Sequence, residues 1–257
     1  MKVYILTDLE GPAMISRFAQ TRDVTAEEKK HWMYFLTGEI NACVDGILDF
    51  DPDAEVIVWD GHGSGGIDEK SFHKQGKLIA RGPIRAPYYL DESFDALMFV
   101  GQHAKMGDRG VLCHTYSSKS IEYYKINGVE MGEFGCRALM AGTMGVPTTF
   151  VTGDDVTIEE ARELVPNIVG AAVKQALSRE LAIHLSHEAA CELIREQARV
   201  ACERAPEIEP YYFAGPYTQE IRVLEGVSIQ GYLDAGAEYV DSRTVRITKE
   251  NVCELRI

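Results

Sequence analysis

The sequence predicts an α/β fold: a mixed, mostly parallel sheet flanked by helices, with a β-hairpin and a smaller C-terminal β-rich region. Three observations carry this. Short apolar runs rich in Val, Ile, Phe and Tyr recur and end at Gly or Asp, as strands buried on both faces do. A stretch with helical spacing separates the first two runs, as a crossover between parallel strands requires. Asn127-Gly128 sits between two β-prone runs, the hairpin signal, because both turn residues must accept positive φ.

In chain order, strands are expected at 2–7, 55–59, 77–81, 96–101 and 147–152. Between the first two, TAEEKKHWMYFLTGEINACVDGILDF offers Thr25 and Glu28 as a capping box, with Trp32, Phe35, Leu36, Ile40 and Val44 on one helical face. The hairpin occupies 121–131. Helices follow from about Gly132 to Met144, from Thr157 to Leu164 with Thr157 and Glu160 as a second capping box, and from Ser186 to about Ala205. After Pro206 the chain mixes Pro, Gly and alternating β-prone residues. The expected division is a metal-binding α/β catalytic part over 1–185, then a helix and a small region over 186–257.

With 257 residues, 46% hydrophobic and 26% charged, the chain can bury a sizeable core. Its formal net charge of -14 sets the overall field against nucleic acid and anionic membranes, and neither partner is expected. The six cysteines show no C-x-x-C spacing and are read as reduced thiols. The apolar run before Asp8 is far shorter than a signal-peptide core or the ~20 residues of a membrane span, so the expected location is the cytoplasm.

The chemistry gathers at strand ends. The first strand runs into Asp8-Leu9-Glu10, whose alternate residues point the same way, and the second into Asp60-Gly61-His62. The run ALMFVGQH ends in His103. Ligands of open α/β sheets bind outside the carboxyl ends of the strands, so these ends converge on one crevice. Glu133, where the ribbon gives way to a helix, and His114, in a loop, are placed to reach it. Two carboxylates as close as Asp8 and Glu10 repel unless a cation lies between them. Carboxylate and imidazole without a cysteine pair suit zinc or a similar divalent ion, and several carboxylates can bridge two. Asp60 is expected to orient His62 rather than to ligate.

The remaining motifs are weaker. Gly61 to Gly66 matches G-x-G-x-x-G after a strand, but the polar IDEKSFHKQGK that follows lacks the helix a dinucleotide needs, and the glycines are read as a loop beside the metals. Cys113, next to His114, faces the other way and is read as buried filler. His31, His73, His184 and His187 have no partner at ligand spacing. Gly153-Asp154-Asp155 is read as a turn.

The segments MKVYILTDLEG, VIVWDGHG, FVGQHA, CHTYSS, INGVEMGEFG, VPTTFVTGDD and VPNIVGAAVKQALSR, in this order across roughly the first 180 residues, resemble the self-compartmentalising zinc D-aminopeptidases of bacterial dipeptide-transport operons. The resemblance implies metal ligation by Asp8, Glu10, His62, His103 and Glu133, with Asp8 bridging two zinc ions. It also implies His114 as the nucleophile; assistance by proton transfer or oxyanion stabilisation is the other reading of that residue. A ring-shaped homo-oligomer, a decamer, is implied too. The chain departs from the family pattern at Gly61, where serine is common, at Tyr116 after Thr115, and at Pro12 after Gly11. The expected activity is a dinuclear zinc aminopeptidase acting on short peptides or amino-acid amides. The alternatives are a dinuclear phosphoesterase, with Lys105 and Arg109 as its phosphate clamp, and a non-catalytic nucleotide-binding or metal-binding module.

Overall fold

A computed structural model describes residues 1–257. The elements run β1 (Lys2–Thr7), α1 (Phe18–Thr21), α2 (Ala26–Phe50), β2 (Glu55–Asp60), β3 (Gly76–Ile79), β4 (Ala96–Val100), β5 (Ile121–Ile126), β6 (Val129–Met131), α3 (Glu133–Gly142) and β7 (Thr148–Asp154). They continue through α4 (Asp155–Leu164), β8 (Val169–Ser178), β9 (Leu181–His184), α5 (His187–Arg204), β10 (Tyr217–Val223), α6 (Gln230–Asp234), β11 (Glu238–Asp241) and β12 (Thr244–Lys249).

The main sheet has the order β3-β2-β1-β4-β7-β8-β9, parallel except for β9, which pairs antiparallel to β8. Strand order reverses between β1 and β4, which opens a crevice at their carboxyl ends. Successive residues of β1 enter opposite cores: Val3 and Ile5 join the side covered by α2 and α5, Tyr4 and Leu6 the side covered by α3 and α4. Burial on both faces is why these strands are almost continuously apolar.

The mixed, mostly parallel sheet with flanking helices is the expected one. Asn127 (φ 50°) and Gly128 (φ 84°) make the hairpin turn. The hairpin extends into a second, antiparallel sheet, β11-β12-β10-β5-β6, so that residues 217–249 complete a layer begun at 121–131. The α2 capping box forms as expected, with the Glu28 N–H donating to Thr25 and the Glu28 carboxylate accepting from the Thr25 N–H.

Two expectations need correction. The fourth helix starts two residues before Thr157 and is capped by Asp154, whose Oδ1 accepts from the Thr157 N–H and hydroxyl. Asp154 takes the cap because it ends β7 already in extended geometry, and Glu160 is then free to reach another loop. Strand β8 carries no strand signal in the sequence, because VGAAVKQALS is rich in residues that favour helix, and only its place beside β7 makes it a strand.

Candidate metal centre

The crevice gathers six side chains from five places in the fold. Asp8 and Glu10 follow β1, His62 follows β2, His103 follows β4, His114 lies in the loop beyond it, and Glu133 opens α3. The approach of the first and third of these ends depends on glycine. The Gly11 N–H donates to the Gly101 carbonyl at 2.7 Å, and a Cβ on Gly11 would stand 2.2 Å from the Gly101 carbonyl carbon. A Cβ on Gly101, whose φ is +79°, would stand 2.2 Å from the Asp8 backbone carbonyl oxygen. Two chains without side chains therefore cross here, and Glu10 and His103 meet.

Asp8 divides its oxygens between two histidines: Oδ1 lies 2.9 Å from His62 Nδ1 and Oδ2 lies 3.2 Å from His103 Nε2. Glu10 Oε2 is 3.2 Å from His62 Nδ1, and Glu133 Oε1 is 3.3 Å from His103 Nε2 and 4.0 Å from His114 Nε2. Donor atoms of Asp8, Glu10 and His103 all lie within 4.8 Å of one another, as do those of His103, His114 and Glu133. The five expected ligands and His114 are thus in one place.

Hydrogen bonds from the outside fix the rings. His103 Nδ1 is 2.9 Å from the Ala104 carbonyl and His114 Nδ1 is 2.8 Å from the Leu112 carbonyl; a carbonyl only accepts, so each Nδ1 carries the hydrogen and each Nε2 turns a lone pair inward. The two rings stack at 4.0 Å. The Tyr116 N–H donates to Glu133 Oε1 at 2.8 Å. No hydrogen bond of normal geometry reaches Glu10 Oε2 or His103 Nε2, both fully buried. Lone pairs of imidazole and carboxylate facing one another at 3.2–3.3 Å require a cation between them.

The donor set fits zinc. Donors held about 2.0–2.1 Å from a tetrahedral ion stand about 3.3 Å apart, and the spacings here, 2.9–3.3 Å, match that edge. Without an ion, protons fill the gap. Burial pushes the His62 imidazolium down, but Glu10 and Asp8 outweigh it and bring His62 up to about 10; His103, likewise opposed by burial, is held well above its ordinary value by Asp8 and Glu133. Burial raises Glu133, yet His103 takes it down to about 2, and Glu10 is lowered well below the carboxylate range by His62 against the same burial. His114 goes the other way, lowered by burial and then by His103.

Several residues outside the expected set build this geometry. Lys174, on β8 and buried, donates from Nζ to the carbonyls of Glu10 (2.6 Å), Pro12 (3.1 Å) and Ile15 (2.6 Å), and Glu39 Oε1 accepts from the Ala13 N–H. Together they pin the loop behind Glu10. Glu160 Oε2 accepts from the Lys105 N–H and Asp154 Oδ2 from the Val111 N–H, so α4 anchors the loop between His103 and His114. Asp154 thus serves as cap and anchor rather than as a turn residue. Lys174 carried no sequence signal, because its partners are backbone atoms distant in the chain.

Asp60 does not orient His62. Its Oδ1 accepts from the Gly66 N–H at 2.8 Å and braces the 61–66 loop, which no helix follows before β3. Cys113 is buried with Sγ against the Asp108 carbonyl, as filler would be. Lys105 and Arg109 line a different cavity with Glu159 and Glu163, and Lys105 Nζ pairs with Asp108, so the suggested phosphate clamp stands away from the metal pocket.

The chain is also similar to known proteins. The chain is 31% identical over 215 residues to a D-aminopeptidase of Bacillus subtilis (strain 168), covering 82% of this chain and 77% of that protein. Its fold superposes with a TM-score of 0.92 on a solved structure described as the Zn-dependent D-aminopeptidase DppA from Bacillus subtilis, a self-compartmentalizing protease, at 26% identity over 99% of this chain and 93% of that one. The M55 peptidase family pattern, described as D-aminopeptidase, matches residues 1–256, so the likeness continues well past residue 180. The chain belongs to the M55 family of D-aminopeptidases.

Proposed function

We propose that this protein is a dinuclear zinc aminopeptidase that removes N-terminal D-amino acids from short peptides or amides. The observation that carries the reading is the division of Asp8, whose two oxygens face two different histidines. Glu10 and His62 complete one half of the site and His103 and Glu133 the other, with Asp8 shared. All five lie within 1–185, proposed as the catalytic part, on which 186–257 builds through β10 pairing with β5 and α5 packing on α2. Bound zinc supplies Lewis acidity, which polarises a carbonyl and lets water ionise near pH ~7.

His114 moves the proton. Its Nδ1 is committed to the Leu112 carbonyl and its pKa is lowered, so at neutral pH Nε2 is a free base beside Glu133. It takes a proton from the attacking water and returns it to the departing amine. The Tyr116 N–H keeps Glu133 turned toward the centre while this happens. The solved relative is described as self-compartmentalizing, which supports homo-oligomeric assembly of this chain; the ring-shaped decamer and the cytoplasmic location remain part of this proposal. No helix is long and apolar enough to cross a membrane.

The decisive assay compares zinc-loaded protein on D- and L-alanyl amides and D-alanyl dipeptides. Faster release from the D series is expected; equal rates on both enantiomers would remove the D-specific part of the assignment. A second expectation follows from protonation. With His62 raised to about 10 and His103 raised well above its ordinary value, both are imidazolium at pH 7 in the metal-free protein, and a cation must displace those protons. Proton competition weakens as pH rises toward the raised values, so zinc affinity should climb from pH 6 to pH 8. Calorimetry in buffers of different ionisation enthalpy should show net proton release; an uptake or a null result contradicts the arrangement.

A further inference from the structure

The pocket of about 300 Å³ over the candidate metal centre has a second wall that the hydrolytic chemistry does not use: Arg22, Asp23, Ser118 and Lys119. Arg22 leaves the one-turn helix α1, and its guanidinium lies over the Phe18 ring at 3.8 Å. Phe18 in turn meets the His114 ring edge-on at 6.1 Å, so this cation is tied to the proton-transfer residue through one aromatic side chain. Arg22 Nε donates to Asp23 Oδ2 at 2.9 Å and Nη1 to the Ser118 hydroxyl. Lys119 Nζ donates to the other Asp23 oxygen at 2.8 Å.

One carboxylate is thus shared by two cations, and the wall keeps a net positive charge on a chain whose formal charge is -14. The Arg22 plane is held by the ring below, by Nε on Asp23 and by one Nη1 hydrogen on Ser118. No hydrogen bond is made by Nη2, and Nη2 with the second Nη1 hydrogen forms a guanidinium edge that matches a carboxylate with two parallel bonds. At about 300 Å³ the pocket is at the small end of ligand sites.

We infer that Arg22 binds the terminal carboxylate of the substrate, so that the enzyme selects di- and tripeptides with a free C-terminus over amides and longer chains. The inference rests on the peptidase reading and narrows it. A short peptide at neutral pH is a zwitterion: its reacting end belongs with the carboxylates and metal, its far end with the one guanidinium that lines the same pocket. Lys119, more exposed at the mouth, adds long-range attraction rather than a directional bond.

The test uses zinc-loaded protein with D-alanylglycine and D-alanylglycinamide. Wild type should favour the free acid by about tenfold in kcat/KM, the worth of one charge-assisted hydrogen-bonded contact. In Arg22→Gln that ratio should fall to near one, through a raised KM for the acid with its kcat little changed. Because the ratio is taken within one preparation, partial loss of folding or metal cancels. In Lys119→Gln the ratio should shrink only about twofold at low salt, and roughly 0.5 M salt should erase the difference by lowering the wild-type ratio to that of the variant, as screening predicts. A wild-type ratio near one, or an Arg22→Gln ratio unchanged from wild type, overturns the inference while leaving the peptidase intact. Turnover of neither compound by the wild type overturns the peptidase reading and this one with it.

Discussion

On the dinuclear reading proposed above, replacing Asp8 with alanine should strip the protein of both zinc ions and lower kcat/KM on the order of 10³-fold or more. Both halves of the centre draw an oxygen from this one side chain, 2.9 Å from His62 and 3.2 Å from His103. Its loss leaves each half with one carboxylate and one imidazole, too few for a four-coordinate ion. His114→Ala is the contrasting variant: His114 is not among the five proposed ligands, so zinc should stay while kcat falls roughly 10²–10⁴-fold with the loss of the proton transfer proposed for it. Zinc per chain, measured beside kcat/KM for the two variants, separates the roles. An Asp8→Ala protein that still holds two zinc ions would show that the carboxylate does not bridge.

The centre was legible in the sequence because its signals are local. Asp8 and Glu10 are two apart at the end of an apolar run, His62 and His103 each close another run, and alternation along a strand together with the rule for strand ends brings them together. The Asn127-Gly128 turn was legible for the same reason, since positive φ at both positions is a property of the two residues themselves. What was not legible is held by tertiary contacts. Lys174 reads as an ordinary polar residue of an alanine-rich stretch until β8 places it under the carbonyls of residues 10–15. Arg22 reads as a surface cation until α1 folds it over Phe18 toward Ser118. Asp60 misled because a carboxylate two residues from a histidine has two possible tasks, and the glycine-rich loop needed an acceptor for the Gly66 N–H more than His62 needed a partner.

A single methyl group should take the centre apart from behind. Gly11→Ala places a Cβ 2.2 Å from the Gly101 carbonyl carbon and 2.3 Å from the Gln102 oxygen, and both are backbone atoms of the segment leading to His103. No rotamer relieves a backbone clash, so the chains after β1 and β4 must separate. Overpacking of this kind costs about 3 kcal/mol, which for a chain of this length lowers Tm by roughly 6–12 °C. The same separation moves Glu10 away from His103, so zinc affinity should fall together with stability, and zinc should raise Tm less in the variant than in the wild type. Gly63→Ala is the matched control, because nothing lies within 4 Å of a Cβ there, and its stability should stay within about 0.5 kcal/mol of wild type. Thermal unfolding of the two variants with and without zinc measures all of this. If Gly11→Ala melts and binds zinc like the wild type, the crossing of Gly11 over Gly101 is not what joins the two halves of the site.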